Sequence, residues 1–243
     1  MAIRDLTSER LFVTDDLSAG AAIALSPDQA HYLLNVLRLG PGAKLLVFNG
    51  RDGEWSAAIS EARKRSVTLA AIAQVRPQDE GPDIDYLFAP LKHARLDYMV
   101  QKATEMGVSR LSPVITDRTI AGRVNIERMA ANATEAAEQC GILRVPEVRA
   151  PEKLQDVLDA WLDTGERKRP LVFCDEGEGA SDPIRRLETL KGRPVSLLIG
   201  PEGGFSDRER GRLLRLEFVV PLSLGPRIMR ADTAAVAALQ GRR

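Results

Sequence analysis

Two glycine-bearing loops near the C-terminus hold the residues best suited to chemistry. The first, Gly200-Pro-Glu-Gly-Gly-Phe205, follows a continuously apolar run from Val195 to Ile199. Adjacent glycines accept positive φ and let the backbone come close to a ligand. This loop leads into Ser206-Asp-Arg-Glu209, a capping box that starts a helix. An ordinary strand-to-helix turn is the plain alternative. The second loop, Leu224-Gly-Pro-Arg-Ile-Met-Arg230, follows Phe218 to Leu222 and precedes Ala231 to Leu239. That last stretch is small and apolar nearly all round, so it is either buried or a subunit contact. Arg227 and Arg230 are suited to meet phosphate, or to pair with nearby carboxylates.

The elements that must position these loops read as an α/β domain. Ile84 to Ala89, Leu111 to Ile115, Leu171 to Cys174, Val195 to Ile199 and Phe218 to Leu222 are short apolar runs of the buried-parallel-strand type. Between them lie three helical stripes. One carries Leu96, Met99, Val100, Ala103 and Met106, stopped by Gly107; another runs from Ile126 to Cys140, ended by Gly141; the third carries Leu154, Val157, Leu158 and Trp161. In open sheets of this kind, ligands sit beyond the carboxyl ends of the strands, where both loops fall. The first 76 residues differ: Lys44 to Phe48, Trp55 to Ile59 and Val67 to Val75 predict a small antiparallel barrel. One helix interrupts it, capped by Ser26-Pro-Asp-Gln29 and ended by Gly40-Pro-Gly42. The breaker-rich segment Arg76 to Pro82 is the linker, so the expected domains are 1–76 and 77–243.

Composition narrows the chemistry. Among 243 residues, 34 Lys and Arg balance 34 Asp and Glu, so a nucleic-acid contact must come from a local patch rather than a global positive excess. Cys140 and Cys174 form no CxxC pair, and with His31 and His93 as the two histidines, no metal site is expected. Apolar runs reach about seven residues, well short of the ~20 that span a bilayer, which makes a soluble cytoplasmic protein the expectation. The phosphate-cradling NTPase loop, the Rossmann glycine fingerprint and the hydrolase nucleophile elbow are missing.

Leu197-Leu-Ile-Gly-Pro-Glu-Gly-Gly-Phe205 and Leu224-Gly-Pro-Arg-Ile-Met-Arg-Ala-Asp-Thr-Ala234 closely resemble the paired C-terminal motifs of the SPOUT methyltransferases. More narrowly, the chain resembles the bacterial 16S ribosomal RNA uridine N3-methyltransferase family. Val36 to Gly42 and Phe48 to Gly53 resemble that family's PUA-like β-barrel. Gln101 to Val108, Glu138-Gln-Cys-Gly141 and Arg144 to Glu147 resemble its internal motifs. The resemblance implies a PUA-like barrel followed by an α/β trefoil-knotted SPOUT domain, a homodimer, and S-adenosylmethionine held in the knot loops. It implies 16S ribosomal RNA or the small ribosomal subunit as substrate. Periodicity gives no hint of a knot, which the general rule of unknotted connections opposes. Carried onto this chain, the cofactor pocket comprises Ile199, Gly200, Pro201, Gly203, Gly204, Leu222, Leu224, Gly225, Ile228 and Met229.

Arg230 is the leading catalytic candidate, with a structural salt bridge as its alternative. Glu202 is a candidate to contact the cofactor or orient Arg227 or Arg230, or simply to cap a loop. Asp232, where many relatives are expected to carry Glu, keeps a carboxylate of shorter reach; it and Glu202 are the two catalytic candidates to orient Arg230 or to accept the uracil proton. Glu138 and Gln139 either reach an active site across a dimer or only cap their helix. RNA-contact candidates are Arg38, Arg63, Lys64, Arg65, Lys92, Arg118 and Arg227, each with a solvated surface position as alternative. Two other functions compete with uridine methylation: a non-catalytic RNA-binding assembly factor, and a related enzyme methylating the ribose 2′-hydroxyl of transfer RNA.

Overall fold

The structure is a computed structural model that describes residues 8–92, 94–120, 123–163, 169–175, 183–225 and 227–240. The chain divides into two compact units: Met1–Glu80 with Ala137–Val145, and Gly81–Ala136 with Pro146–Arg243. The division at 76 and 77 drawn from the sequence lies close to the first break but leaves residues 137–145 in the second part.

The first unit contains β1 (Arg10–Phe12), β2 (Ala22–Ala24), α1 (Pro27–His31), β3 (Lys44–Phe48), β4 (Glu54–Arg63) and β5 (Ser66–Arg76). The sheet order is β1-β3-β4-β5-β2, antiparallel except for the parallel pair β1 and β3. The capping box forms as expected: Gln29 donates its backbone N–H to Ser26 Oγ at 3.3 Å, and Ser26 donates its own to Gln29 Oε1 at 3.1 Å. The helix then widens into a π turn over Tyr32–Val36 and stops earlier than the glycines at 40 and 42 suggested. Its left-handed closing residue is Arg38, at φ 56°. The glycines instead shape the turn into β3, where Gly42 donates to Ile59 O at 2.9 Å.

Residues 137–145 belong to this unit for specific reasons. Ala137 and Leu143 pack with Phe48, flanked by Phe12, Ile142 and Val145. Glu138 accepts the backbone N–H of Phe12 at 2.8 Å, so its carboxylate holds the segment to β1. Glu54, 2% exposed, receives Arg10 at 2.8 Å and Arg76 at 2.7 Å, and Arg76 also donates to Gly141 O at 2.9 Å. Burial penalises the Glu54 carboxylate; the hydrogen bonds from Arg76 and Arg10 outweigh it and hold its pKa below the ordinary range.

The second unit contains β6 (Ile84–Phe88), α2 (Ala94–Glu105), β7 (Arg110–Ile115), α3 (Ile126–Cys140, whose last turn lies in the first unit), β8 (Glu147–Val148) and β9 (Glu152–Lys153). It continues with α4 (Leu154–Asp163), β10 (Leu171–Cys174), α5 (Pro183–Glu188), β11 (Val195–Ile199), α6 (Asp207–Leu213), β12 (Val219–Leu222) and α7 (Ala231–Gln240). Every pairing is parallel, in the order β12-β10-β11-β6-β7-β8 with β9 also on β7. Leu87, Leu158, Phe173, Leu198 and Leu213 form part of its core. α7 buries Ala231, Ala234, Ala235, Ala238 and Leu239, and it packs on α2 and β11 of the same chain. Val236 and Ala237 on the same helix remain partly exposed. Among the described residues, no helix is long and apolar enough to cross a membrane.

Asp83, at the head of β6, ties neighbouring strands by charge. Arg169 donates to both its oxygens at 2.9 Å and Ser109 donates at 3.0 Å. The Arg169 hydrogen bonds, against some burial penalty, lower the Asp83 pKa to about 2. A depressed carboxylate contributes stability that is complete above its ordinary pKa of 3.8 and lost as pH falls toward 2. Asp83→Asn should therefore flatten the acid limb of a stability curve between those values. At neutral pH it should lower stability by about 1 kcal/mol, since the side chain is partly solvated. Urea unfolding at several pH values checks this; an unchanged acid limb contradicts it.

Candidate active site

The strand registers bring the two glycine loops together. Cys174 pairs with Leu222 across β10 and β12, Phe173 with Leu198 across β10 and β11, and Phe88 with Ile199 across β6 and β11. Beyond those ends, Ala89 N–H donates to Ile199 O at 3.1 Å and Asp175 N–H to Leu222 O at 3.0 Å. The loops that follow line one cavity of about 840 Å³, within the usual range for small-molecule sites.

Each glycine of the first loop has its own reason. A Cβ on Gly200 would stand 2.4 Å from the Phe205 ring, because the loop folds that ring back against its own start. Phe205 in turn packs edge-on against buried Phe173, centroids 5.0 Å apart. Gly204, at φ 68°, closes a turn by donating to Pro201 O at 2.9 Å. In the second loop Gly225 takes φ 119°. Where a Cβ would stand at Gly204 or Gly225 there is open space.

All ten residues assigned to a cofactor pocket, from Ile199 to Met229, line this cavity. So do Glu202, Arg118, Arg227 and Arg230. Ile228 is 81% exposed between the two arginines of its loop. Arg227 and Arg230 have no side-chain hydrogen bond or ion pair among the described residues. Arg118 donates to Gly203 O at 2.8 Å. Glu202 pairs with Arg95 rather than with Arg227 or Arg230. Asp232 is not part of the lining; it sits in the first turn of α7 and accepts the Thr233 N–H at 2.8 Å. Lys92 lies just before α2, off the cavity. Arg38, Arg63, Lys64 and Arg65 are in the first unit, the last three at the β4–β5 hairpin, where Arg63 faces Glu61 at 3.4 Å. His31 contacts Asn35 at 2.9 Å on the surface, and His93 lies outside the described residues. Among the described residues there is no group of three or more His, Cys, Asp or Glu arranged to hold a metal.

Several lining residues escaped the sequence reading. Arg95 stands in the first turn of α2, the helix that follows β6. Asp175, buried at the end of β10, is held by Arg210 from α6 at 2.9 and 2.7 Å. Its position just past a strand's carboxyl end was the available signal. Cys174 keeps some exposed surface, but burial pushes its thiol up to about 12, so it is no thiolate nucleophile at neutral pH.

The family described as "RNA methyltransferase domain" matches residues 79–241, and the one described as "RNA methyltransferase PUA domain" matches residues 25–72. The chain belongs to this family of RNA methyltransferases. Its two parts are the PUA-like barrel and the parallel α/β methyltransferase domain that the motifs implied. A Rickettsia conorii protein named ribosomal RNA small subunit methyltransferase E is 29% identical, over 95% of this chain and 93% of the relative. A Legionella pneumophila structure described as a methyltransferase in complex with S-adenosylmethionine is 28% identical, at TM-score 0.81 over 96% of each chain. A Neisseria gonorrhoeae methyltransferase structure superposes at TM-score 0.83 over 96% of this chain and 95% of that one; at 23% identity it speaks to the fold alone.

Two glycines separate the loop's packing from ordinary helix propensity. Gly200→Ala should destabilise the protein by about 1–3 kcal/mol, because the new methyl displaces Phe205. Gly211→Ala, inside α6 with open space around it, should stabilise by about 0.5–1 kcal/mol. Urea midpoints of the two variants check this, and equal or reversed shifts would contradict the ring-on-glycine constraint.

Proposed function

We propose that this protein methylates N3 of a specific uridine in 16S ribosomal RNA of the small subunit, using S-adenosylmethionine. The observation that carries the reading is the meeting of the two loops, 199–204 and 222–230, on one cavity. The names of the curated relatives and the ligand of the Legionella structure support it. The cavity suits the cofactor: its volume is sufficient, its walls come largely from the two loops, and Gly204 and Gly225 leave space that a side chain would fill. Ile199 to Gly204 and Leu222 to Met229 would hold it. When bound, the cofactor supplies an already activated sulfonium methyl.

The protein's remaining task is to align a uracil and stabilise its anion, because N3 becomes a good nucleophile only after losing its proton. Arg230 lines the cavity and its guanidinium has no side-chain partner among the described residues. Beside the uracil carbonyls it favours the anion, about 1.4 kcal/mol for each unit of pKa lowering. Glu202, which lines the cavity and pairs with Arg95, is in this reading the carboxylate that takes the proton, whereas Asp232 lies outside the lining. In a chain of zero net charge, the cavity lining carries Arg95, Arg118, Arg210, Arg227 and Arg230 against Asp175 and Glu202, a local positive excess. That local patch meets RNA phosphates, with Lys92 beside it and Arg38, Arg63, Lys64 and Arg65 recruiting RNA through the PUA-like unit. The working form in this reading is a cytoplasmic homodimer.

Primer extension on ribosomal RNA from a deletion strain tests the reading, since an N3-methyl group blocks the Watson–Crick edge and stops reverse transcription. The stop should vanish on deletion and return with the wild-type gene. A persistent stop, or a lost ribose methyl on transfer RNA instead, would overturn it. Arg230→Ala should slow single-turnover methylation about a hundredfold while cofactor affinity stays within a few fold. Higher pH should partly rescue it, because solvent then supplies more uracil anion. Affinity falling in step with rate would make Arg230 a binding residue instead.

A further inference from the structure

Glu209 connects the cavity wall to a second loop. It is 1% exposed, in the first turn of α6. One carboxylate oxygen accepts the Ser206 N–H at 2.9 Å, the return half of the capping box. The other accepts the Asp117 N–H at 2.9 Å, from the loop that follows β7. A capping box requires only the first of these bonds. The Ser206 hydroxyl lies 2.6 Å from Asp117 and 3.1 Å from Glu209; it has one proton, and the shorter contact takes it. Asp117 also receives Arg208 at 2.9 Å. Its loop is closed on itself, with Thr116 N–H donating to Thr119 Oγ1 at 2.9 Å. The next residue along, Arg118, donates to Gly203 O at 2.8 Å. A continuous series of contacts thus runs from a buried carboxylate, through Asp117 and Arg118, to the Gly200–Phe205 loop.

We infer that Glu209 is a positioning residue: it fixes the loop after β7 so that Arg118 holds Gly203 in the shape that receives the methyl donor. This rests on the proposed cofactor reading. Glutamine offers one acceptor oxygen and turns an amide N–H₂ toward the other donor, so Glu209→Gln breaks one of the two part-buried bonds that join the loops. Aspartate keeps both oxygens but is one methylene shorter and does not span both loops.

Calorimetric titration of S-adenosylmethionine into the full-length chain, with amide exchange on the ligand-free protein, tests this. Wild-type binding comes first: no binding there would overturn the proposed function, whereas the variants judge the positioning role. Glu209→Gln and Glu209→Asp should bind about ten-fold more weakly, with faster exchange at the Asp117 and Gly203 amides. Arg118→Ala should also bind more weakly, and the double variant Glu209→Gln with Arg118→Ala should lose no more than the weaker single one. A residue that only stabilised α6 would lower the unfolding midpoint and leave affinity unchanged, or give fully additive losses; either result overturns the inference. If Glu209→Gln does not fold, Arg118→Ala decides: unchanged affinity with unchanged Gly203 exchange overturns it.

Discussion

The parallel register of β6, β10, β11 and β12 is the constraint on which the site depends. Those strands end level, so the connections that leave them emerge side by side. Slippage of one strand would move its buried side chains to the wrong face and carry its loop away from the others. The near-continuous burial of β6 and β11 makes such slippage unfavourable. On that base, Phe205 folds over Gly200, and Gly204 and Gly225 take left-handed conformations. The cavity is the space these loops leave.

Charge is organised in pairs with distinct consequences. Glu54 with Arg10 and Arg76 lies buried in the first unit and holds the segment containing Gly141. Removing one partner there would leave an uncompensated buried charge, a larger penalty than loss of a surface pair. Asp175 with Arg210 stiffens the cavity wall, and neither group needs to act on a substrate to justify its place. Arg227 and Arg230 differ in kind: they are exposed on a loop at the cavity, and Ile228 between them faces water.

Features that depend on a few adjacent residues were legible in the sequence. Both capping boxes, at Ser26 and Ser206, form with the anticipated partners. The buried strands and both glycine loops fall where their apolar runs and breakers placed them. Features that depend on distant residues were not. Arg95 meets Glu202 across 107 positions, and Glu138 meets Phe12 across 126. No periodicity encodes such pairs. Gly200 lines the cavity, but nothing near it in the sequence shows that its missing side chain also makes room for Phe205. The helix stop at Arg38 was hidden because an arginine, not a glycine, takes the left-handed conformation there.

The central claim is that two loops form a single methyl-donor site. Amide exchange of the full-length protein with and without saturating S-adenosylmethionine addresses it directly. The account expects new protection concentrated in residues 199–204 and 222–230, with the first unit unchanged. Binding without protection in either loop, or protection centred elsewhere, would contradict it.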